Sequence, residues 1–157
     1  MPDSATIRSS TFKGIVVGGF SSGAFDLIFA IIYYGNRGAT TVGILHSIAA
    51  GLLGKKASNE GGITTAILGF DLHFLISLSA AAIYLLASRK IPLLRNQPIP
   101  CGVAYGAIIY FFMNMVVLPL SALHSHAFPP PVVFAPIAIH LFGVGLPIAL
   151  AVARYTK

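Results

Sequence analysis

The stretch "ITTAILGFDLHFLISLSAAAIYLLAS", residues 63–88, decides the fold. At about 1.5 Å rise per residue, a helix through it outreaches the hydrocarbon core of a bilayer, about 30 Å thick. Arg89 and Lys90 then stop it. Asp71 and His73 stand well inside this run. An unpaired carboxylate at mid-bilayer costs about 2.5–3.5 kcal/mol on insertion scales, so each needs a reason to be there.

Working outward, three more runs have the same character. The spacing predicts spans over about 14–34, 63–87, 100–122 and 131–153. Of the 157 residues, 56% are hydrophobic and only 9% charged, against about 25% charged in soluble domains. The fold class that follows is all-α: an integral membrane four-helix bundle, with residues 1–157 as one transmembrane domain. The first apolar run exceeds the roughly 7–15 residues of a signal core and lacks a small-residue cleavage site, so it is expected to stay as a span. The arm before it, "MPDSATIRSSTFK", is polar and expected to fray. Cys101 is the one cysteine, which excludes an intramolecular disulfide or thiolate cluster.

The net charge of +6 is an orientation signal. Arg8, Lys13, Arg89, Lys90, Arg95, Arg154 and Lys157 fall on one side of these spans; Arg37, Lys55 and Lys56 fall on the other. That bias places both termini in the cytoplasm. No basic stripe stands on a soluble face, so nucleic acid is not an expected partner; the bilayer is.

Between spans 1 and 2, "TTVGILHSIAAGLLGKKASNEGG" holds an apolar stretch too short to cross. It predicts a short amphipathic or re-entrant helix over about 40–54, capped by Thr40 or Thr41 and ended by Gly54. His46 is expected to face the headgroups. Span 1 carries Gly19, Ser22, Gly23 and Asp26 as a small-residue seam leading to a carboxylate. Pro119 removes the hydrogen bond to the Met115 carbonyl, so a kink is expected beside Asn114. Pro136 and Pro147 flank His140 in span 4.

Counting depth from the cytoplasmic ends puts Asp26, His73, Asn114 and His140 all roughly 18–21 Å in. Each span thus contributes one strongly polar side chain to a common layer, and turning inward relieves the cost of burying them in lipid. Ser22, Ser77, Tyr84 and Asp71 are the supporting candidates. His73 shares a face with Gly69, Ser77, Ala80 and Tyr84. Asp71 lies about 200° around the helix and is expected to meet the loop helix or its lysines.

Three readings of the layer stay open. One is a hydrogen-bonded cluster that fixes helix register. A second is a pocket that binds a small solute or relays protons, for which intramembrane Asp and His are suited. A third is a haem or metal held by His73 and His140; no CxxCH, HExxH or carboxylate-rich pattern supports it, and His124–His126 is a weak metal signal. No metal or cofactor is assigned. No GxSxG elbow is present, so no enzyme is expected.

The segments "LHSIAAGLLGKKA", "GFDLHFLISLSAAAIY", "GVAYGAIIYFFMNMVVLPLSA" and "IHLFGVGLPIALAVAR" resemble a group of uncharacterised small four-helix bacterial inner-membrane proteins. The layout is distantly similar to the YagU-like proteins, with "AIH" here where a glycine precedes the histidine there. The resemblance implies a bacterial inner-membrane address and supplies no substrate. The function expected is a non-enzymatic membrane protein with a solute- or proton-handling pocket. The alternative is an accessory subunit, packed through its glycine seams on a larger membrane complex or on a second copy of itself.

Overall fold

Large apolar side chains cover the outside of this molecule. In the computed structural model, Ile63 is 69% exposed, Ile108 62% and Phe142 60%, with Ile32, Leu75 and Leu86 close behind. A water-soluble protein seldom shows contiguous apolar surface on this scale, whereas lipid requires it. Four helices are long and apolar enough to cross a bilayer: Ser10–Gly35, Gly62–Lys90, Pro98–Leu120 and Phe134–Tyr155. The chain is a multi-pass membrane protein. The structure describes residues 4–124 and 134–156, with residues 4–9 as backbone alone.

Helix α1 runs Ser4–Gly35, so most of the polar arm continues the first span as helix. Helix α2, Thr41–Leu53, is the short apolar helix expected between spans 1 and 2. Thr40 Oγ1 accepts the Gly43 N–H at 3.0 Å, satisfying a first-turn donor that no helix can satisfy itself. Gly54, at φ 79°, turns the chain out. The chain then forms a further short helix, α3 (Lys55–Glu60), before α4 (Gly62–Lys90). Helix α5 (Leu93–Asn96) links α4 to α6 (Pro98–Leu120), and α7 is Phe134–Tyr155.

Prolines shape the last two spans. Helix α6 widens to a π-turn over Met113–Val117, just ahead of Pro119. Helix α7 widens over His140–Gly145, just ahead of Pro147. A proline cannot donate to the carbonyl four residues back and its ring crowds that carbonyl; a wide turn accommodates both defects without a break. The expected kink beside Asn114 takes this form.

The beginning of the first span and the end of the last meet at one end of the bundle. Ser10 Oγ donates to the Tyr155 carbonyl, and Arg95 donates to the Thr156 carbonyl at 3.4 Å. We call this the terminal end. The opposite, connector end carries α2, α3 and the start of α4, where the Ala122 N–H ties the end of α6 to the Gly51 carbonyl at 2.8 Å.

Glycines set how closely the spans approach. A Cβ on Gly106 would lie 2.1 Å from the His140 carbonyl oxygen, and one on Gly145 would lie 2.1 Å from the Gly102 oxygen. Backbone meets backbone here, which only a missing side chain allows. Gly18 meets Ile148 and Ala151 of α7, while Gly19 meets Leu78 of α4. These seams therefore close contacts within the chain. Towards the terminal end they enclose a core of Ala81, Tyr84, Leu85, Val144, Ile148, Ala149 and Val152. Two tyrosines keep that core polar-satisfied: Tyr84 donates to the Leu94 carbonyl at 2.9 Å and Tyr105 to the Ala80 carbonyl at 2.8 Å.

Candidate functional site: a cavity between the spans

Above this core, towards the connector end, the spans part around a cavity of about 570 Å³. Its size falls within the roughly 300–1,000 Å³ of small-molecule sites. Asp26 of α1, His73 of α4, Asn114 of α6 and His140 of α7 all line it. The structure thus brings together the four side chains that depth counting put in one layer. Leu27, Ile44, Ile76, Ile109 and Met113 supply apolar wall, Val144 joins the wall to the core, and Gly43, Ile44, Ser47 and Ile48 of α2 close on it from the connector side.

The polar groups are held by backbone rather than by one another. His73 Nε2 donates across to the Gly23 carbonyl of α1 at 2.9 Å. A carbonyl can only accept, so the proton sits on Nε2, and Nδ1 is the bare nitrogen of the neutral ring. His140 is the mirror case: Nδ1 donates to the Pro136 carbonyl at 2.8 Å, leaving Nε2 bare. Pro136 is the residue one turn earlier, and its own ring lies outside that bond. Asn114 Nδ2 donates to the Tyr110 carbonyl at 2.8 Å, leaving Oδ1. No described residue hydrogen-bonds or ion-pairs with the Asp26 carboxylate, and no Lys or Arg lines the cavity. Among the described residues, every buried side-chain nitrogen or oxygen has a partner. The unpartnered atoms of these four residues therefore lie on accessible surface.

The supporting residues divide. Ser77 lines the cavity, its hydroxyl donating to the His73 carbonyl at 3.1 Å. Ser22 is fully buried and donates to Gly19 within α1, away from the cavity wall. Tyr84 belongs to the terminal core, bonded to Leu94, and takes no part in the cavity. Asp71 departs furthest from expectation. It is exposed on α4 beside Ile67 and Leu75, 56% and 59% exposed, and no described lysine pairs with it.

His46 also departs from its expected place at the headgroups. It is buried, and its Nε2 donates to the Gly62 carbonyl at 2.8 Å. Ser58 Oγ donates to the His46 carbonyl, and Thr65 Oγ1 donates to the Ser58 carbonyl, both at 2.6 Å. This chain of bonds ties α2, α3 and α4 together. Its acceptors are all backbone, so no pattern of side chains announces it in the sequence. Tyr34, an aromatic at the end of span 1 of the kind that marks a membrane interface, and Ser47 also line the cavity; neither residue type points to a cavity from the sequence.

Among the described residues, no group of three or more His, Cys, Asp or Glu side chains is placed to hold a metal ion. His124 is exposed, and His126 lies outside the described residues. No protein family model, curated protein or solved structure was found to match the chain.

Proposed function

We propose that this is a bacterial inner-membrane protein, with both termini cytoplasmic, whose intramembrane cavity takes up a small solute. The observation that carries the reading is the convergence of Asp26, His73, Asn114 and His140, one from each span, on a single space of about 570 Å³. A polar layer that served only to lock helix register would be expected to bond from helix to helix throughout. Here only His73 does so; His140 and Asn114 bond within their own helices, and all three leave an acceptor atom unpartnered among the described residues. The seven-to-three split of basic residues supports the orientation.

The test is flux in vesicles reconstituted with purified protein. A collapsing solute gradient supports the reading, provided His73→Ala and His140→Ala abolish it. Vesicles as tight as protein-free controls, or flux untouched by both variants, remove the cavity from the function. Collapse of a pH gradient without any added solute would favour proton relay through the histidines.

Asp71 favours a second reading, in which the chain is also a subunit of a larger membrane assembly. A carboxylate on the lipid-facing stripe of a span gains from a partner helix that brings a donor to the same depth. The glycine seams no longer support this reading, because they are used within the chain. Ile67→Cys in a Cys101→Ser background, which leaves Asp71 in place, should crosslink to that partner in native membranes; crosslinks no more frequent than from Ile108→Cys, on the exposed face of α6, would dismiss it.

A further inference from the structure

We propose that the solute is an organic ammonium: a protonated amine on an apolar body. This rests on the cavity being a solute site and assigns its chemical class. The argument is a count of donors and acceptors on the cavity wall.

Each polar side chain spends its hydrogen before it reaches the ligand. His73 donates Nε2–H to Gly23 and His140 donates Nδ1–H to Pro136, so each ring, when neutral, keeps only a lone-pair nitrogen. Ser77 gives its hydroxyl hydrogen to the His73 carbonyl, and Ser47 gives its own to the Ile44 carbonyl at 2.6 Å. Both oxygens keep accepting capacity alone. Asn114 spends one N–H on Tyr110 and keeps Oδ1. Asp26, as a carboxylate, accepts only. Against these stand the Tyr34 hydroxyl and the second N–H of Asn114. The wall therefore asks for hydrogen-bond donors.

Charge points the same way. Asp26 faces a space lined by no Lys or Arg. In its ionised form Asp26 favours a cationic guest over a neutral or anionic one, because a cation beside it offsets the cost of holding the charge in low-dielectric surroundings. A bare metal ion fits less well, since it wants several convergent oxygen or nitrogen ligands and none are so grouped among the described residues. The rest of the lining is Leu27, Ile44, Ile48, Ile76, Ile109 and Met113, which suits a hydrocarbon or aromatic body. An ammonium has the donors, the charge and, with such a body, the shape.

The experiment uses three probes of one shape: 4-phenylbutylammonium, 4-phenylbutanol and 5-phenylvalerate. Binding to the full chain is measured in neutral maltoside micelles near pH 7.5, where the amine is protonated and the acid ionised, with protein-free micelles subtracted. The ammonium should bind at least about tenfold tighter than the alcohol, since hydrogen bonds to charged groups are the stronger kind. The carboxylate should bind weakest. Asp26→Asn, near-identical in shape, should erase the preference for ammonium over alcohol while leaving alcohol binding in place, and Asp26→Glu should restore it. Circular dichroism confirms that each variant is folded.

An ammonium is carried both by free amines and by the phosphatidylethanolamine headgroup. Adding that lipid separates the sources: displacement of the probe identifies the headgroup as a guest, and retention identifies a free amine. Equal binding of alcohol and ammonium, tighter binding of the carboxylate, or a preference that survives Asp26→Asn overturns the assignment and leaves the cavity as a site for another solute. Absence of binding by all three probes overturns it too, and with tight vesicles in the flux assay it takes the proposed function down as well.

Discussion

The two halves of this bundle solve opposite problems. Towards the terminal end, Gly18, Gly102 and Gly145 let α1, α6 and α7 touch backbone to backbone. Large side chains such as Tyr84, Ile148 and Val152 then fill what remains, each less than 2% exposed. Towards the connector end, the same spans separate around a cavity, and a short helix lies against it instead of a span. In lipid there is no hydrophobic driving force between helices, so association rests on close packing. The terminal half supplies that packing, which frees the connector half to hold an open space lined by groups that are costly in a membrane.

Matched glycine substitutions test this contrast, because two glycines face equal overlap in different halves. Gly145→Ala would put a Cβ 2.1 Å from the Gly102 carbonyl oxygen, between two spans clamped on both sides. Overpacking of this kind costs about 1–3 kcal/mol or more. The variant is expected at the upper end, with a clearly lowered Tm in detergent and little folded protein recovered. A near-native Tm would show that α6 and α7 are not clamped.

Gly69→Ala would put its Cβ 2.0 Å from the Leu45 carbonyl oxygen, between α4 and α2. Helix α2 is short, so a shift of it disturbs less packing than a shift of a whole span, and the expected cost is smaller, about 1 kcal/mol. The sharper signal is access. Ser77→Cys, in a Cys101→Ser background, should react several-fold faster with a hydrophilic thiol reagent when Gly69→Ala is present. Unchanged reactivity would mean that α2 does not control entry to the cavity.

The smallest effect is expected on the lipid-facing surface. Asp71→Leu removes an exposed carboxylate from an apolar stripe, and it should leave the Tm of the purified chain unchanged or slightly raised, within about 0.5 kcal/mol. A large loss of stability would place Asp71 in a bond the described residues do not show.

How much of this could be read from the sequence follows the kind of signal. Spans and the short helix before residue 54 were legible because length and hydropathy fix them locally. The layer of Asp26, His73, Asn114 and His140 was legible because a helix converts residue count into depth. Rotation about the helix was less so. Asp71 was rightly separated from His73 by 200°, yet its expected neighbours, the lysines, are absent from its surroundings. His46, Ser58 and Thr65 were unreadable as a group, since their acceptors are carbonyls that every residue possesses. Helix α3 was hidden for a similar reason: "KKASNE" is polar, and its one buried side chain, Ser58, is held by that network.

The wide turn at His140–Gly145 has a consequence for how this chain can change. A π-turn amounts to one residue inserted into an α-helix. If the same residues were wound as regular α-helix instead, the extra residue would swing everything before the turn by about 100° relative to Leu146–Tyr155. His140 would leave its companions although no polar residue had been altered. The spacing of the backbone at this point is therefore as much a determinant of the cavity's chemistry as the imidazole it carries.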